Sequence, residues 1–337
     1  MKTHKIAFLL IGIIIAFLGC KTKETILEPT SIGDPFEVPM WNYATNHFFV
    51  DTLYIPYYNQ LQRIPPTLTH PEYRIEWIQV WKLDNSIIPN INDVRANAFI
   101  TLSSIDSNSY KSMRTQVNNV PGIVESGLFV PLDYSEYSFD ANAGTLAILD
   151  QTITDQQSIA VSYKRVDGKQ FGETLSINDS LPMILKLVKP RYLNNSYMVA
   201  WKLLMKNIYY IGKSEIAHTG FSLDVFRDVP NVSQNNSILN ISLLKILGLD
   251  RFHDEGAPGS DGVFDFIPGS TIDKLHGEII FPCVRPFDDG ILEYFNSIGQ
   301  PLPSNSEYLV PALYDTTRLS VMNSGKPSYV IKGRAVN

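Results

Sequence analysis

Arg74-Ile75-Glu76-Trp77-Ile78-Gln79-Val80-Trp81-Lys82-Leu83 alternates polar and apolar residues over most of its ten positions. Successive side chains of a strand point to opposite faces, so this pattern predicts a β-strand. Its phase breaks partway: Ile75, Trp77 and Leu83 are out of step with Ile78 and Val80. A strand covered on both faces at one end would carry such a pattern. Outward from it, residues 96–102 and 158–164 are rich in β-branched and aromatic side chains, which favour strands. Asp167-Gly168, between Val161-Ser162-Tyr163 and Gln170-Phe171-Gly172, is a hairpin signal, because this dipeptide tolerates the positive φ of a tight turn. Short strands separated by turn clusters favour a β-sandwich over a parallel sheet.

The second half changes character. Ser196 can cap a helix over 197–211, in which Met198, Trp201, Leu204, Met205 and Ile208 follow the helical period and Gly212 supplies the stop. Residues 237–248 (SILNISLLKILG) form a shorter helix or a strand–helix unit, again closed by glycine. Beyond Gly262 short strands broken by Pro and Gly return. The expected fold is mainly β: two sandwich-like modules, 41–180 and 181–337, divided near 178–182, with one or two short helices in the second. Residues 20–40 carry Pro29, Pro35 and Pro39 without a clear period and read as a tether. One internal repeat aligns residues 138–146 (SFDANAGTL) with 271–279 (TIDKLHGEI), each with Asp, a Gly four positions on, and an aliphatic two beyond it. Both predict two strands joined by a turn in which Gly takes positive φ.

The N-terminus reads as an address. Lys2, His4 and Lys5 precede an apolar run over 6–18, too short at 13 residues to span a bilayer. Residues 1–19 are therefore expected to be a signal peptide. Phe17-Leu18-Gly19-Cys20 looks like a bacterial lipobox, in which Cys20 is the lipidated residue and the first of the mature chain. Several acyl chains would hold it firmly, at about 0.8 kcal/mol per buried methylene. Lys21 rather than Asp after the cysteine favours the outer membrane. An ordinary signal peptide with an incidental cysteine is the alternative. Loss of Lys2 and Lys5 takes the formal charge from −6 to −8 and leaves Cys283 as the one thiol, in an apolar run that suits a buried, inert cysteine.

Composition narrows function by exclusion. With 44% hydrophobic and 18% charged residues the chain is globular, and 28 Lys+Arg against 34 Asp+Glu give no basic surface for nucleic acid. No Gly-x-Ser-x-Gly elbow, His-Glu-x-x-His pair or phosphate-binding Gly-rich loop occurs, and the six histidines are scattered. No catalytic residue, cofactor or metal ligand is assigned. The loop 250–265, with Asp250, Asp254, Glu255, Asp261 and Asp265 among glycines, has oxygen ligands of the kind calcium uses, but lacks the alternate-position pattern of an EF-hand. Turn formation by Asp-Gly is its other reading.

Ile246-Leu247-Gly248-Leu249-Asp250-Arg251-Phe252, then Ser260-Asp261-Gly262-Val263-Phe264-Asp265-Phe266-Ile267-Pro268-Gly269, then Gly277-Glu278-Ile279-Ile280-Phe281-Pro282 form an ordered series. Together with Trp201-Lys202-Leu203-Leu204-Met205-Lys206-Asn207-Ile208-Tyr209, this series resembles the N-terminal module of the SprA family, gliding-motility and type IX secretion proteins of Bacteroidetes. The likeness runs from about residue 70 to 337. It implies a non-enzymatic, extracytoplasmic β-rich module beside a translocon barrel. Arg285 stands where the family usually carries Glu, and the long alternating strands of a membrane barrel are not in this sequence.

Two classes of function follow. The first is a structural or accessory module of the secretion and motility apparatus, lipid-anchored at the outer membrane on its periplasmic or cell-surface side. Its partners would be outer-membrane or periplasmic proteins; a truncated fragment of a SprA-like gene is a variant of this reading. The second is a glycan-binding or adhesion lipoprotein, which would need an exposed aromatic platform.

Overall fold

A computed structural model describes residues 33–62, 69–84, 93–105, 109–115, 118–150, 153–174, 181–253 and 256–336. Its strands in chain order are β1 (Asp34–Pro39), β2 (His47–Phe49), β3 (Ile75–Asp84), β4 (Val94–Phe99), β5 (Val124–Pro131) and β6 (Tyr137–Asp140). Then come β7 (Thr145–Ile148), β8 (Ile159–Arg165), β9 (Gln170–Phe171), β10 (Met183–Lys189), β11 (Ile208–Tyr210) and β12 (Ser222–Asp228). The last are β13 (Ser237–Ile238), β14 (Ile241–Ser242), β15 (Ile272–Asp273), β16 (Glu278–Ile280) and β17 (Ser328–Ala335). The chain is mainly β.

Five strands close on themselves. The order is β10-β4-β5-β3-β8, and β8 pairs again with β10, so a small barrel forms, to which β9 adds a short edge through the expected Asp167-Gly168 hairpin. The seam between β10 and β4 is parallel, Met183 beside Ala96 and Lys186 beside Phe99; the others are antiparallel. The first half thus supplies four of the five strands of a barrel where two facing sheets were expected, since short strands and frequent turns are common to both architectures. The fifth strand, β10, lies beyond the division expected near 178–182. The described residues form one compact unit; its main core runs from Phe48, Trp81 and Val161 to Tyr209, Phe281 and Phe287, and a small second cluster joins Leu102, Tyr110 and Ile184.

The broken phase of residues 74–83 has a local cause. Ile75 lies opposite Arg165 and Trp77 opposite Lys164, so β3 carries one extra residue against β8. Such a bulge shifts the alternation by one position, which buries both Ile75 and Ile78. Further along, Val80 and Trp81 are both buried, on opposite faces, and Trp81 Nε1 donates to Ser162 Oγ at 3.2 Å. All seven residues of β10 are buried. One face lines the barrel, and helices Ser109–Arg114 and Met198–Leu203 lie against the strand. Lys186 Nζ, in this strand, donates to Ile100 O and lies 3.5 Å from Asp51.

The internal repeat is a repeated hairpin. Asp140 Oδ1 accepts the N–H groups of Asn142 and Ala143 at 2.8 and 3.1 Å between β6 and β7, and Gly144 has φ +60°. Asp273 Oδ1 accepts those of Leu275 and His276 at 2.9 and 3.1 Å between β15 and β16, and Gly277 has φ +68°. In each copy the aspartate folds the turn and the glycine supplies the left-handed residue.

Residues 34–39 are not tether. They form β1, an edge strand antiparallel to β17, and β12 flanks β17 on its other side. Met40 N–H donates to Tyr329 O at 2.9 Å and continues the ladder. By alternation Phe36 and Val38 also face β17, whereas Pro35, Glu37 and Pro39 face outward, where a missing donor costs no ladder bond. Residues 20–32 of the expected tether lie outside the described residues.

The helix expected over 197–211 is six residues long, Met198–Leu203. Tyr197 rather than Ser196 occupies its N-cap position. Leu204 is already extended and bridges Phe48, and residues 208–210 form β11 against β16. The sequence after the helix explains the stop. Lys206 Nζ turns back to Trp201 O at 2.9 Å and Leu204 O at 3.4 Å, satisfying carbonyls that further helical turns would have used. Asn207 Nδ2 donates to Phe281 O at 2.7 Å and Tyr58 Oη at 3.1 Å, and Tyr209 Oη donates to Met40 O at 3.0 Å. These tertiary bonds override an apolar spacing that is helical to Ile208. Gly212 follows a strand, with φ +83°.

Two predictions follow. A Cβ at Gly144 would lie 2.2 Å from the Tyr54 ring and one at Gly277 1.6 Å from Lys213 O, whereas one at Gly212 meets nothing within 4 Å. Gly212→Ala should therefore cost about 1–2 kcal/mol of left-handed strain, and Gly144→Ala and Gly277→Ala about 3 kcal/mol or more, read from urea midpoints. Lys206 is the second case. Burial lowers its pKa to about 7, while Trp201 lies 4.4 Å beneath its ammonium. The unfolded chain then holds more protons between pH 7 and 10.5, so stability rises with pH there and falls as pH drops towards 7. The slope from one such group is at most about 1.4 kcal/mol per pH unit. Urea midpoints at pH 7 and 9 should rise in the wild type and rise less in Lys206→Met.

Candidate interaction groove

The acidic loop is organised by its own backbone. Asp250 is 2% exposed; its Oδ1 accepts Asp261 N–H at 2.9 Å, and its Oδ2 accepts Ser260 Oγ–H at 2.7 Å and Gly262 N–H at 3.0 Å. Asp265 returns the arrangement: Oδ2 accepts Arg251 N–H at 2.6 Å, Oδ1 accepts Phe252 N–H at 3.4 Å, and its own N–H donates to Leu249 O at 2.8 Å. Burial holds the Asp265 carboxyl above the ordinary carboxylate range. The two segments LGLDR and DGVFDF are thus strapped together, each aspartate serving N–H groups of the other segment, and the turn-forming reading of the loop accounts for both residues. Asp254 and Glu255 lie outside the described residues. Among the described residues no group of three or more His, Cys, Asp or Glu side chains is placed to hold a metal ion.

This strapped loop forms one wall of a groove of about 1180 Å³. Leu247, Arg251, Phe252, Pro258, Pro282 and Tyr294 line it, the last from the helix Ile291–Ser297. Gly248 sets its shape: with φ +73°, it approaches Pro282 so closely that a Cβ would lie 2.8 Å from the proline ring. Cys283 sits beside it, half-buried, with Asn59 Nδ2 at 3.5 Å from the sulfur and Asn59 Oδ1 accepting Val284 N–H at 2.9 Å. Burial pushes the Cys283 thiol up to about 12, which suits an inert sulfur and not a nucleophile. Cys20, the expected lipidation site, lies outside the described residues.

A smaller cavity, of about 250 Å³, lies between the two repeated hairpins. His47 Nε2 and Glu278 Oε1 meet there at 3.0 Å, joining β2 to β16, and His276 Nδ1 lies 2.7 Å from Asp273 Oδ2. The His47–Glu278 pair spans 231 residues of sequence, and no local spacing announces it. His70 pairs with Glu72 and stacks on Tyr73, His218 stacks on Phe266, and His253 packs against Gly259. His47 and His276 thus share one cavity, and His218 and His253 line another, but among the described residues none belongs to a group of three or more His, Cys, Asp or Glu placed to hold a metal ion. Trp81 and Trp201 are buried, and Trp41 and Trp77 are half-buried. The exposed tyrosines 134, 192 and 210 form no ring contact with one another among the described residues.

The raised thiol pKa predicts slow alkylation. In a Cys20→Ser chain at pH 8, iodoacetamide should modify Cys283 at least about 100-fold more slowly in the native state than in urea, because an ordinary thiol near 8.5 is partly thiolate there. Comparable rates, followed by mass spectrometry, would show an accessible reactive sulfur instead. No protein-family model matches the chain, and no curated protein matches it.

Proposed function

We propose that the protein is an extracytoplasmic SprA-like module, a structural or accessory part of a type IX secretion and gliding-motility apparatus. It is anchored at the outer membrane through lipid on Cys20, and it works by protein–protein contact without catalysing a reaction. One observation carries this reading: the segments that resemble the family are the segments that bind one another. Asp250 and Asp265 strap LGLDR to DGVFDF, Asn207 ties the Trp201–Tyr209 stretch to Phe281, and Gly248 packs on Pro282. Within a likeness that runs from about residue 70 to 337, contacts among its most specific segments support a shared module. The wide groove beside that unit is a concavity suited to a macromolecular partner. Glycan adhesion has less support, since all four tryptophans are buried or half-buried.

The test is reversible crosslinking in intact cells of a gliding Bacteroidetes host, with a C-terminal tag on the full chain and a fatty-acid label. Secretion and motility components should co-purify from the outer membrane with a labelled chain. Recovery of an unlabelled chain from the cytosol, with cytosolic proteins only, would overturn the proposal.

A further inference from the structure

We infer that the groove receives an extended segment of a partner protein and holds it through a carboxylate on that segment, bound by Arg251. This rests on the proposed function and specifies the kind of partner. Size is the first ground. At about 1180 Å³ the groove exceeds the roughly 300–1,000 Å³ of small-molecule sites, and Leu247, Phe252, Pro258, Pro282 and Tyr294 offer apolar surface along it.

Charge is the second. Arg165, Arg191, Arg227 and Arg285 each hold a carboxylate: Asp167, Glu125, Glu307 and Asp288 respectively. Arg318 is half-buried without one, stacked on the Tyr43 ring and donating to Tyr43 O, and Arg251 is half-buried without one at the groove. Arg251 Nη1 donates to Gln62 O at 2.6 Å, its Nε is buried without a hydrogen-bond partner, and among the described residues no carboxylate lies within ion-pair distance of the guanidinium. Asp250, on the same wall, is already engaged by three donors of the loop. Asp265 attracts the Arg251 guanidinium from beyond ion-pair distance, and its one hydrogen bond is to a carbonyl, so a planar, bidentate acceptor such as a carboxylate adds direct pairing that it lacks. Lys245, exposed at the groove, adds positive charge, while the exposed Glu293 opposes it.

The two signs give the test. Random 12-residue peptides displayed on phage are selected on the full chain, and affinities of the selected sequences are measured by fluorescence anisotropy. Asp or Glu should be enriched at one position. Arg251→Gln should weaken binding at least about 10-fold, Glu293→Gln should tighten it a few-fold, and replacing the enriched Asp by Asn should cost wild type far more than Arg251→Gln. If Arg251→Gln disturbs folding, seen by circular dichroism, Glu293→Gln and the peptide substitution still decide. Selection of no peptide, of peptides lacking a carboxylate, or of affinities indifferent to both substitutions would overturn the inference. Outer-membrane partners that still co-purify with an Arg251→Gln chain would then show that the proposed function stands without this site.

Discussion

The strand Met183–Lys189 has to be covered on both faces, and the rest of the structure follows from that constraint. Its inner face completes the barrel, so the barrel cannot close without residues from beyond the first half of the chain. Its outer face needs apolar cover, which helices from both halves contribute. Its side chains feed the main core through Met183, Leu185, Leu187 and Val188 and a second, small cluster through Ile184, and the buried Lys186 is tolerated because Ile100 O and Asp51 meet its ammonium.

Around this frame the polar residues serve the backbone more than they serve chemistry. Asp140, Asp250, Asp265 and Asp273 each accept backbone N–H groups of a loop or turn. Lys206 and Asn207 do the complementary work for carbonyls. A carboxylate that accepts two or three N–H bonds organises a loop without regular secondary structure, which is how residues 249–253 and 256–271 keep a defined path with so few strand pairs. The same economy marks Arg251 at the groove, since among the described residues no carboxylate pairs with its guanidinium directly.

What could be read beforehand was local. The Asp–Gly spacing of the two hairpins holds its whole mechanism within a few residues, and the slipped phase of residues 74–83 is visible, although its cause near Ile75 is a bulge rather than cover on both faces. The strand–helix unit of 237–248 is likewise present, as β13, β14 and a short helix ended by Gly248 at φ +73°. What could not be read depends on distant partners. The barrel closes through a parallel seam between residues 96–99 and 183–186, a pairing no turn specifies. The supposed long helix fails because Asn207 finds Phe281 and Tyr58, 74 and 149 residues away. Prolines at 35 and 39 looked like marks of a structureless leader, yet they are compatible with a strand that is paired on one side only. The groove gave no signal, since its walls come from segments whose nearness is purely spatial.

That one-sided strand has a consequence for molecules held side by side. An exposed sheet margin ordinarily invites a neighbour to zip onto it, but here the outward row of Asp34–Pro39 presents a single amide hydrogen, at Glu37, between two rings that have none. Crowded copies therefore find a poor template for joining sheets along this rim, and the acidic side chain at its centre is occupied by Lys332 of the neighbouring strand.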